Sequence, residues 1–427
     1  MEISDLYQKY LESGKVSTDT RQITSGSVFF ALKGPTFNAN EFAGEALAKG
    51  ASYAVVDEQK YVTSDRCVLV KDGLEALQAL ARFHRSQLRI PFIGLTGSNG
   101  KTTSKELVNA VLSRKFKVHA TKGNLNNHIG VPLTILAIDS SHEMAVIEMG
   151  ANHVGEIATL CSIANPTHGF ITNIGRAHIG TFGGYENIIR GKSELYQHLI
   201  ATQGTVFINS QNTVLFNMAK RFSNPVLYPA KGDYYQCELI GSDPFVTIRT
   251  EQGKEVLTKL VGGYNFENIA VALCIGKFFD VNAKEAQAAV AAYEPGNMRS
   301  QVVKKGSNTI ILDAYNANPS SMEAAIVNLS KMDHPKKVVI LGDMYELEEE
   351  TEAEHRKLGS ILSEKGITDA YLCGPLSAAA QKTFPEGKYF ATRDSLIDEL
   401  RKRPITNALI LVKASRGMAL EKIVDYI

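Results

Sequence analysis

Residues 96–103, Thr-Gly-Ser-Asn-Gly-Lys-Thr-Thr, join an apolar run from Pro91 to Leu95 to a helical pattern that begins at Lys101 and extends to about Arg114. A glycine-rich turn between a strand and a helix leaves backbone N–H groups and the positive helix end free to face phosphates. In such a loop Lys101 is a point charge for a nucleoside triphosphate, and the Thr102 hydroxyl is a ligand for Mg²⁺. The general pattern G-x-x-x-x-G-K-[ST] places glycine at 95, where this chain has Leu95; its glycines stand at 94, 97 and 100. The loop is therefore a particular subtype of P-loop.

Other polar residues stand where a parallel sheet collects ligands, at the carboxyl ends of strands. Glu148 interrupts the apolar run Ala145-Val-Ile-Glu-Met149 and is either a magnesium ligand beside the P-loop or the partner of a neighbouring lysine. His178 follows another such end, in Asn173-Ile-Gly-Arg-Ala-His178, and is a ligand or a structural histidine. Lys192 falls on the apolar stripe of a helix with Ile188, Leu195, Tyr196 and Leu199. A lysine there must snorkel, find a partner, or react with CO₂ to give a carbamate able to bind a second Mg²⁺, because a buried unpaired ammonium is strongly disfavoured. The loop Gly123-Asn-Leu-Asn-Asn-His128 offers three amides and an imidazole, a set suited to substrate hydrogen bonding or to an Asn-rich turn. Asn265 and Asn268 share a helix face, and Asp313-Ala-Tyr-Asn-Ala-Asn-Pro319 closes a strand; both segments fit either ligand contact or capping.

The elements around these residues predict an α/β chain of three domains. Short strands and helices over residues 1–88 form a small α/β unit whose first helix spans Met1 to Gly14. Strand and helix patterns alternate over 89–296, which implies a mostly parallel sheet covered by helices, with a hairpin or meander at 220–260. A boundary falls at Glu294-Pro-Gly-Asn297, and residues 297–427 repeat the alternation as a doubly wound, Rossmann-like domain. Asn318-Pro319 is a helix start, with asparagine as N-cap. A chain of 427 residues suits two or three cores. With 46 basic against 45 acidic residues and no long run of like charge, a nucleic-acid partner is not expected. Five scattered cysteines without a C-x-x-C pair suit a reduced cytoplasm, and no apolar run approaches the roughly 18 residues of a membrane span. A cytoplasmic protein with no membrane association is expected, acting as a monomer.

Taken together, these segments resemble the Mur ligases, ATP-dependent acid–amino-acid ligases that build the peptidoglycan precursor. The P-loop with displaced glycines is the family's form, and Glu148, His178, Lys192, the Asn265/Asn268 pair, Arg299 and Asp313 follow in the family's order. Gly123 to Pro132, Glu148 to His153, Asp313 to Pro319 and Leu341-Gly-Asp-Met344 look most like the members that add D-alanyl-D-alanine to UDP-N-acetylmuramoyl-tripeptide. The resemblance implies that Gly97, Ser98, Asn99, Gly100, Lys101, Thr102 and Thr103 hold the ATP phosphates. It assigns a first Mg²⁺ to Thr102 and Glu148, and a second to His178 and carbamylated Lys192. Asn265 and Asn268 would bind ATP, Asn268 at the adenine, while Arg299 and Asp313 would reach over from the third domain to phosphate and ribose. Ser17, Thr18, Asp19 and Arg21 would form a uridine-diphosphate pocket, Asn124, Asn126, Asn127 and His128 would face the muramoyl-peptide, and Asn316 and Asn318 the dipeptide. Lys101, Glu148, His178 and Lys192 would then be the catalytic set, with closure of the third domain on binding. The neighbouring alternatives are another Mur-type ligase or a folylpolyglutamate synthetase, and from a different class a P-loop ATPase switch.

Overall fold

The computed structural model describes residues 2–296 and 298–427. Met1, the expected start of the first helix, and Asn297, the last residue of the expected boundary segment, lie outside the described residues. The chain begins with α1 (Ile3–Ser13), followed by a four-stranded parallel sheet of β1 (Val16–Ser17), β2 (Val28–Phe30), β3 (Tyr53–Val56) and β4 (Cys67–Leu69). Residues 39–48 are not one helix but a 3-10 turn at Ala39–Phe42 followed by a short helix at Ala43–Ala48. The cause is local: the Asn38 side chain accepts the Asn40 backbone N–H at 3.1 Å and tightens the first turn.

α2 (Gly73–Gln87) fastens this unit to the central domain. The Arg85 guanidinium donates to the carbonyls of Ala164 and Asn165, both at 2.8 Å, and Tyr10 donates to that of Leu136 at 2.8 Å. Arg85 thereby satisfies carbonyls that the end of helix Glu156–Ala164 leaves without partners.

The central sheet is wholly parallel. Its strands are β5 (Phe92–Thr96), β6 (Val118–Ala120), β7 (Met144–Glu148), β8 (His168–Ile171), β9 (Thr205–Asn209) and β10 (Val226–Tyr228), in the spatial order β10-β9-β8-β5-β7-β6. The chain leaves β5, runs to the far edge at β6, returns to β7 and crosses to β8, so the carboxyl end of β5 is where the order reverses. Such a point opens a crevice for ligands. Ile93 and Leu95 face α3 (Lys101–Leu112) and α6 (Asn265–Phe278), packing with Leu107, Val108, Val111 and Ile269 in one buried cluster. Between these helices in sequence lie α4 (Glu156–Ala164) and α5 (Tyr185–Ala201). Leu95 thus occupies the position of the missing glycine because the strand is still in the core there. Its truncation to alanine would cost about 2–5 kcal/mol. The meander expected at 220–260 is confined to residues 237–261, three antiparallel strands with a turn at 251–254, because Val226–Tyr228 joins the central sheet as β10 instead.

The last domain has the strands β11 (Gln301–Lys305), β12 (Asn308–Asp313), β13 (Lys337–Gly342), β14 (Asp369–Cys373), β15 (Lys388–Phe390) and β16 (Leu409–Lys413), ordered β11-β12-β16-β13-β14-β15. All pairs are parallel except the edge hairpin β11/β12, whose first strand is half-exposed and carries too little apolar pattern to be seen in sequence. Asn318 caps α7 (Pro319–Lys331) in a capping box with Ser321, as Asn-Pro predicts. The five cysteines are buried and unpaired. Among the described residues no helix is long and apolar enough to cross a membrane.

Candidate nucleotide and substrate site

The P-loop is held from below by the segment just after β8. Ser98 N–H donates to Asn173 O and Asn99 N–H to Asn173 Oδ1, both at 3.0 Å, while Thr172 Oγ1 donates to Asn99 O at 2.6 Å. Two glycines are required by this fit. At Gly97 (φ +145) a Cβ would stand 2.0 Å from Thr172 Oγ1, and at Gly100 (φ +76) it would stand 2.5 Å from Asn268 Oδ1. Asn268 is therefore a strut under the loop: its Oδ1 accepts from Ser104 Oγ and its Nδ2 donates to Asn265 Oδ1, each at 2.8 Å. Lys101 donates to the carbonyls of Gly97 and Ser98 at 2.7 and 3.3 Å. Burial pushes its ammonium pKa down, Glu148 opposes that shift and Arg299 adds to it.

Register places Glu148 beside Leu95, at the mouth of the loop. Its Oε1 accepts from Asn126 Nδ2 at 2.7 Å and from Thr102 Oγ1 at 3.3 Å, and its buried Oε2 has no hydrogen-bond partner, with Lys105 Nζ 3.9 Å away. The neighbouring lysine of the sequence reading is Lys105, and the P-loop hydroxyl of Thr102 stands on the other oxygen. A buried carboxylate oxygen without a donor, next to a hydroxyl, is the hard-oxygen set that Mg²⁺ takes. Among the described residues no cluster of three or more His, Cys, Asp or Glu could hold a metal alone, so an ion here would draw further oxygens from phosphate and water.

Lys192 does not snorkel. It is 1% exposed, donates to Ala151 O at 2.9 Å, and lies 5.1 Å from the Phe182 ring centroid. Burial pushes its pKa well below the ordinary lysine value, Lys101 adds to the shift, and Glu156 and Glu194 oppose it. Two positions on, Glu194 accepts the N–H groups of Gly155 and Ala158 at 2.6 and 2.8 Å, so α5 pins the loop after Glu148 at both ends. His178 sits in the left-handed region (φ 57), and its Nδ1 faces the Glu346 carboxylate of the third domain, whose pKa this contact lowers.

The third domain closes over the loop. Asn318 Nδ2 donates to Asn99 Oδ1 at 2.8 Å, Arg176 N–H donates to Ser320 Oγ at 2.9 Å, and the Arg176 side chain pairs with Glu354. Between the domains lies a cavity of about 870 Å³. Its walls include Ser98 to Thr103, Asn124, Asn126, Asn127, His128, Glu148, His178, Asn265, Asn268, Arg299, Asp313, Asn316 and Asn318. Gly97 and Lys192 lie behind this wall, and Ser17, Thr18, Asp19 and Arg21 lie away from it. There Asp19 caps a 3-10 turn and forms an exposed pair with Arg21 at 2.8 Å. Asn127 lines the cavity, and its Oδ1 accepts the N–H groups of Ile129 and Gly130, as in an Asn-rich turn.

Sequence reasoning missed Glu346, Tyr315 and Lys413 on the third-domain wall. Tyr315 carries the Arg299 guanidinium 3.7 Å above its ring, a cation–π contact. Lys413 ends an apolar strand as Glu148 does, so the rule that found Glu148 would have found it.

A P-loop on a parallel sheet, facing a doubly wound domain across a cavity with a carboxylate at the phosphate end, defines a nucleotide-using enzyme of the Mur ligase type. Residues 95–276 match the Mur ligase middle domain, and residues 298–416 match the domain described as Mur ligase, glutamate ligase domain. The UDP-N-acetylmuramoyl-tripeptide--D-alanyl-D-alanine ligase of Bacillus subtilis (strain 168) is 34% identical over 421 residues, 96% of this chain and 92% of its own length. The protein of the same name from Escherichia coli (strain K12) is 33% identical at the same coverage. Among solved structures, MurF from Acinetobacter baumannii superposes with a TM-score of 0.87 at 31% identity, covering 96% of this chain and 92% of that one. MurF ligase from Thermotoga maritima in complex with ADP gives 0.86 at 27% identity, covering 97% of each. The chain belongs to the Mur ligase family.

Proposed function

We propose that this protein is the ATP-dependent ligase that joins D-alanyl-D-alanine to UDP-N-acetylmuramoyl-tripeptide in peptidoglycan precursor synthesis. The observation that carries the reading is the single cavity onto which the P-loop, the amide loop 124–128 and the segment 313–318 all open. One wall suits a triphosphate, one a peptide, and the third domain brings an amine between them.

The terminal carboxylate of the tripeptide attacks the γ-phosphorus of ATP, the bond to the bridging oxygen breaks, and ADP leaves, giving an acyl phosphate. The dipeptide amine then attacks the acyl carbon, loses a proton, and inorganic phosphate leaves with the C–O bond. Lys101 offsets negative charge as carboxylate and triphosphate converge. Thr102 and Glu148 would hold a first Mg²⁺, and His178 with carbamylated Lys192 would serve a second; when bound, the ions would supply charge neutralisation and alignment of the two anions. Burial lowers the Lys192 pKa and so favours loss of its proton, after which the free amine would add to CO₂ and release a second proton, replacing the cation with a carbamate anion. Asn124, Asn126 and His128 face the peptide. Asp313 and Arg299 reach the nucleotide, and Ser17 to Arg21 hold the uridine diphosphate outside the cavity. A monomer fits this reading, since the cavity is lined from one chain, and so does a cytoplasmic location, where ATP is at hand.

The test is a coupled assay of ADP release with ATP, D-alanyl-D-alanine and the lysine- or diaminopimelate-containing nucleotide tripeptide, with the product identified by mass. Amide product with the dipeptide and none with single amino acids or glutamate supports the reading. ATP hydrolysis without amide formation would sink it.

A further inference from the structure

We propose that Lys413 is a positioning residue that holds the nucleotide contacts and the acceptor loop of the third domain in one arrangement, an inference that rests on the ligase reading above. Lys413 is the last residue of β16, the strand between β12 and β13, and its register neighbours are Asp313 and Leu341. Its side chain is 2% exposed, yet it also borders the cavity. Nζ donates to Asp313 Oδ2 at 2.6 Å and to Asn316 O at 3.0 Å. An ammonium taken out of water needs such partners, and the partners in turn are fixed by it.

What Lys413 fixes reaches further than one ion pair. The other oxygen of Asp313 accepts the Ser300 N–H at 3.1 Å, and Tyr315 N–H donates to Met298 O at 3.2 Å. The segment 298–300, which carries Arg299 over the Tyr315 ring, is therefore laid against the strand end that Lys413 holds. On the other side Asn316 O is its second acceptor, two residues before Asn318, which bonds the P-loop at Asn99. Removing the ammonium leaves the largely buried Asp313 carboxylate opposite an apolar group and frees the Asn316 carbonyl, so the ATP side and the dipeptide side loosen together. The nucleotide-tripeptide, held by the other two domains, is unaffected.

The experiment uses the full-length protein with Lys413→Met, Lys413→Gln, Asp313→Asn and the Lys413→Met/Asp313→Asn double variant. It measures ADP affinity by calorimetry, KM for each of the three substrates, and Tm. The expected result is a rise of about tenfold or more in the ADP Kd and in the dipeptide KM, with the nucleotide-tripeptide KM within about twofold. The double variant should be little worse than Lys413→Met alone, because both changes break one unit. Lys413→Gln, which keeps a donor, reports on the same quantities should the methionine variant not fold. Unchanged ADP affinity and dipeptide KM in a folded variant, a loss confined to Tm, or fully additive losses overturns the proposal. A wild-type protein that binds ADP but forms no amide overturns the ligase reading alone, since the ADP affinities still judge Lys413.

Discussion

Asn318 serves two elements with one side chain. Its Oδ1 caps α7 by accepting the Ser321 N–H at 3.0 Å, and its Nδ2 donates to Asn99 Oδ1 in the P-loop at 2.8 Å. Asn318→Ala should lose both, and Asn99→Ala only the bridge. Chemical denaturation should therefore show about 1 kcal/mol more destabilisation in the first variant than in the second. Both should shift solution scattering toward a more extended particle. Equal stabilities would show that the cap contributes nothing.

Gly100 tolerates no side chain. Alanine there must keep a left-handed backbone and push against Asn268, so Gly100→Ala should destabilise by about 1–3 kcal/mol and raise the KM for ATP strongly. Gly123, also at positive φ but with open space around its Cβ position, is the control. Its alanine variant should lose clearly less, and thermal melts of the pair decide the point.

Lys192→Ala should abolish ligation, because the buried amine is removed from behind the cavity wall. Short carboxylic acids should restore part of the activity by replacing a carbamate. No rescue, together with activity unaffected by removal of CO₂ and bicarbonate, would remove the carbamate from the mechanism.

Chelation of divalent ions should stop turnover while leaving Tm unchanged, since the protein's own donors do not make a complete metal site among the described residues. Glu148→Gln keeps the shape of the side chain but removes its charge next to Thr102. It should raise the Mg²⁺ concentration for half-maximal rate by about tenfold or more. An unchanged magnesium requirement in that variant counts against Glu148 as a ligand.

His168 gives the fold an acid sensitivity. Its ring lies 5.1–6.4 Å from those of Phe207, Phe278 and Phe279, and burial lowers its pKa from 6.5 to about 4. Between those values the unfolded chain binds a proton that the folded chain does not. Stability therefore rises with pH across that window and is lost as pH falls from about 6.5 toward 4. His168→Phe should flatten the dependence of Tm on pH between 6.5 and 4.5. A variant with the wild-type slope would assign the sensitivity elsewhere, for example to His119, which burial also lowers to about 4.

Much of this architecture is legible in the chain because it is local. Strand, turn and helix around 92–112 follow from an apolar run, two glycines that the turn needs and a helix-forming tail. The same kind of signal marks Thr205–Asn209 and the Asn318-Pro319 helix start. The edge strand β11 and the 3-10 turn at Ala39–Phe42 escape it, since one is weakly patterned and the other depends on a single side-chain bond. Polar residues at strand ends can be named from sequence for the same reason, as Glu148 and Asp313 were, and Lys413 carries the same mark.

What sequence by itself determined is the kind of elements present and the inventory of groups able to do chemistry. It could not decide what those groups touch, because a side chain's partner depends on which distant elements pack together. Lys192 could have reached solvent; the loop after β7 places Ala151 O above it instead. His178 finds Glu346, and Asn99 finds Asn318, only because the third domain folds back over the P-loop. Ser17 to Arg21 do not line the cavity: Ser17 ends β1, which pairs with β2 in the first sheet, and Asp19 and Arg21 belong to the 3-10 turn that follows. Spacing along a chain sets helix faces and strand ends, while burial and pairing of charge are set by contacts across it, and only the tertiary structure supplies those.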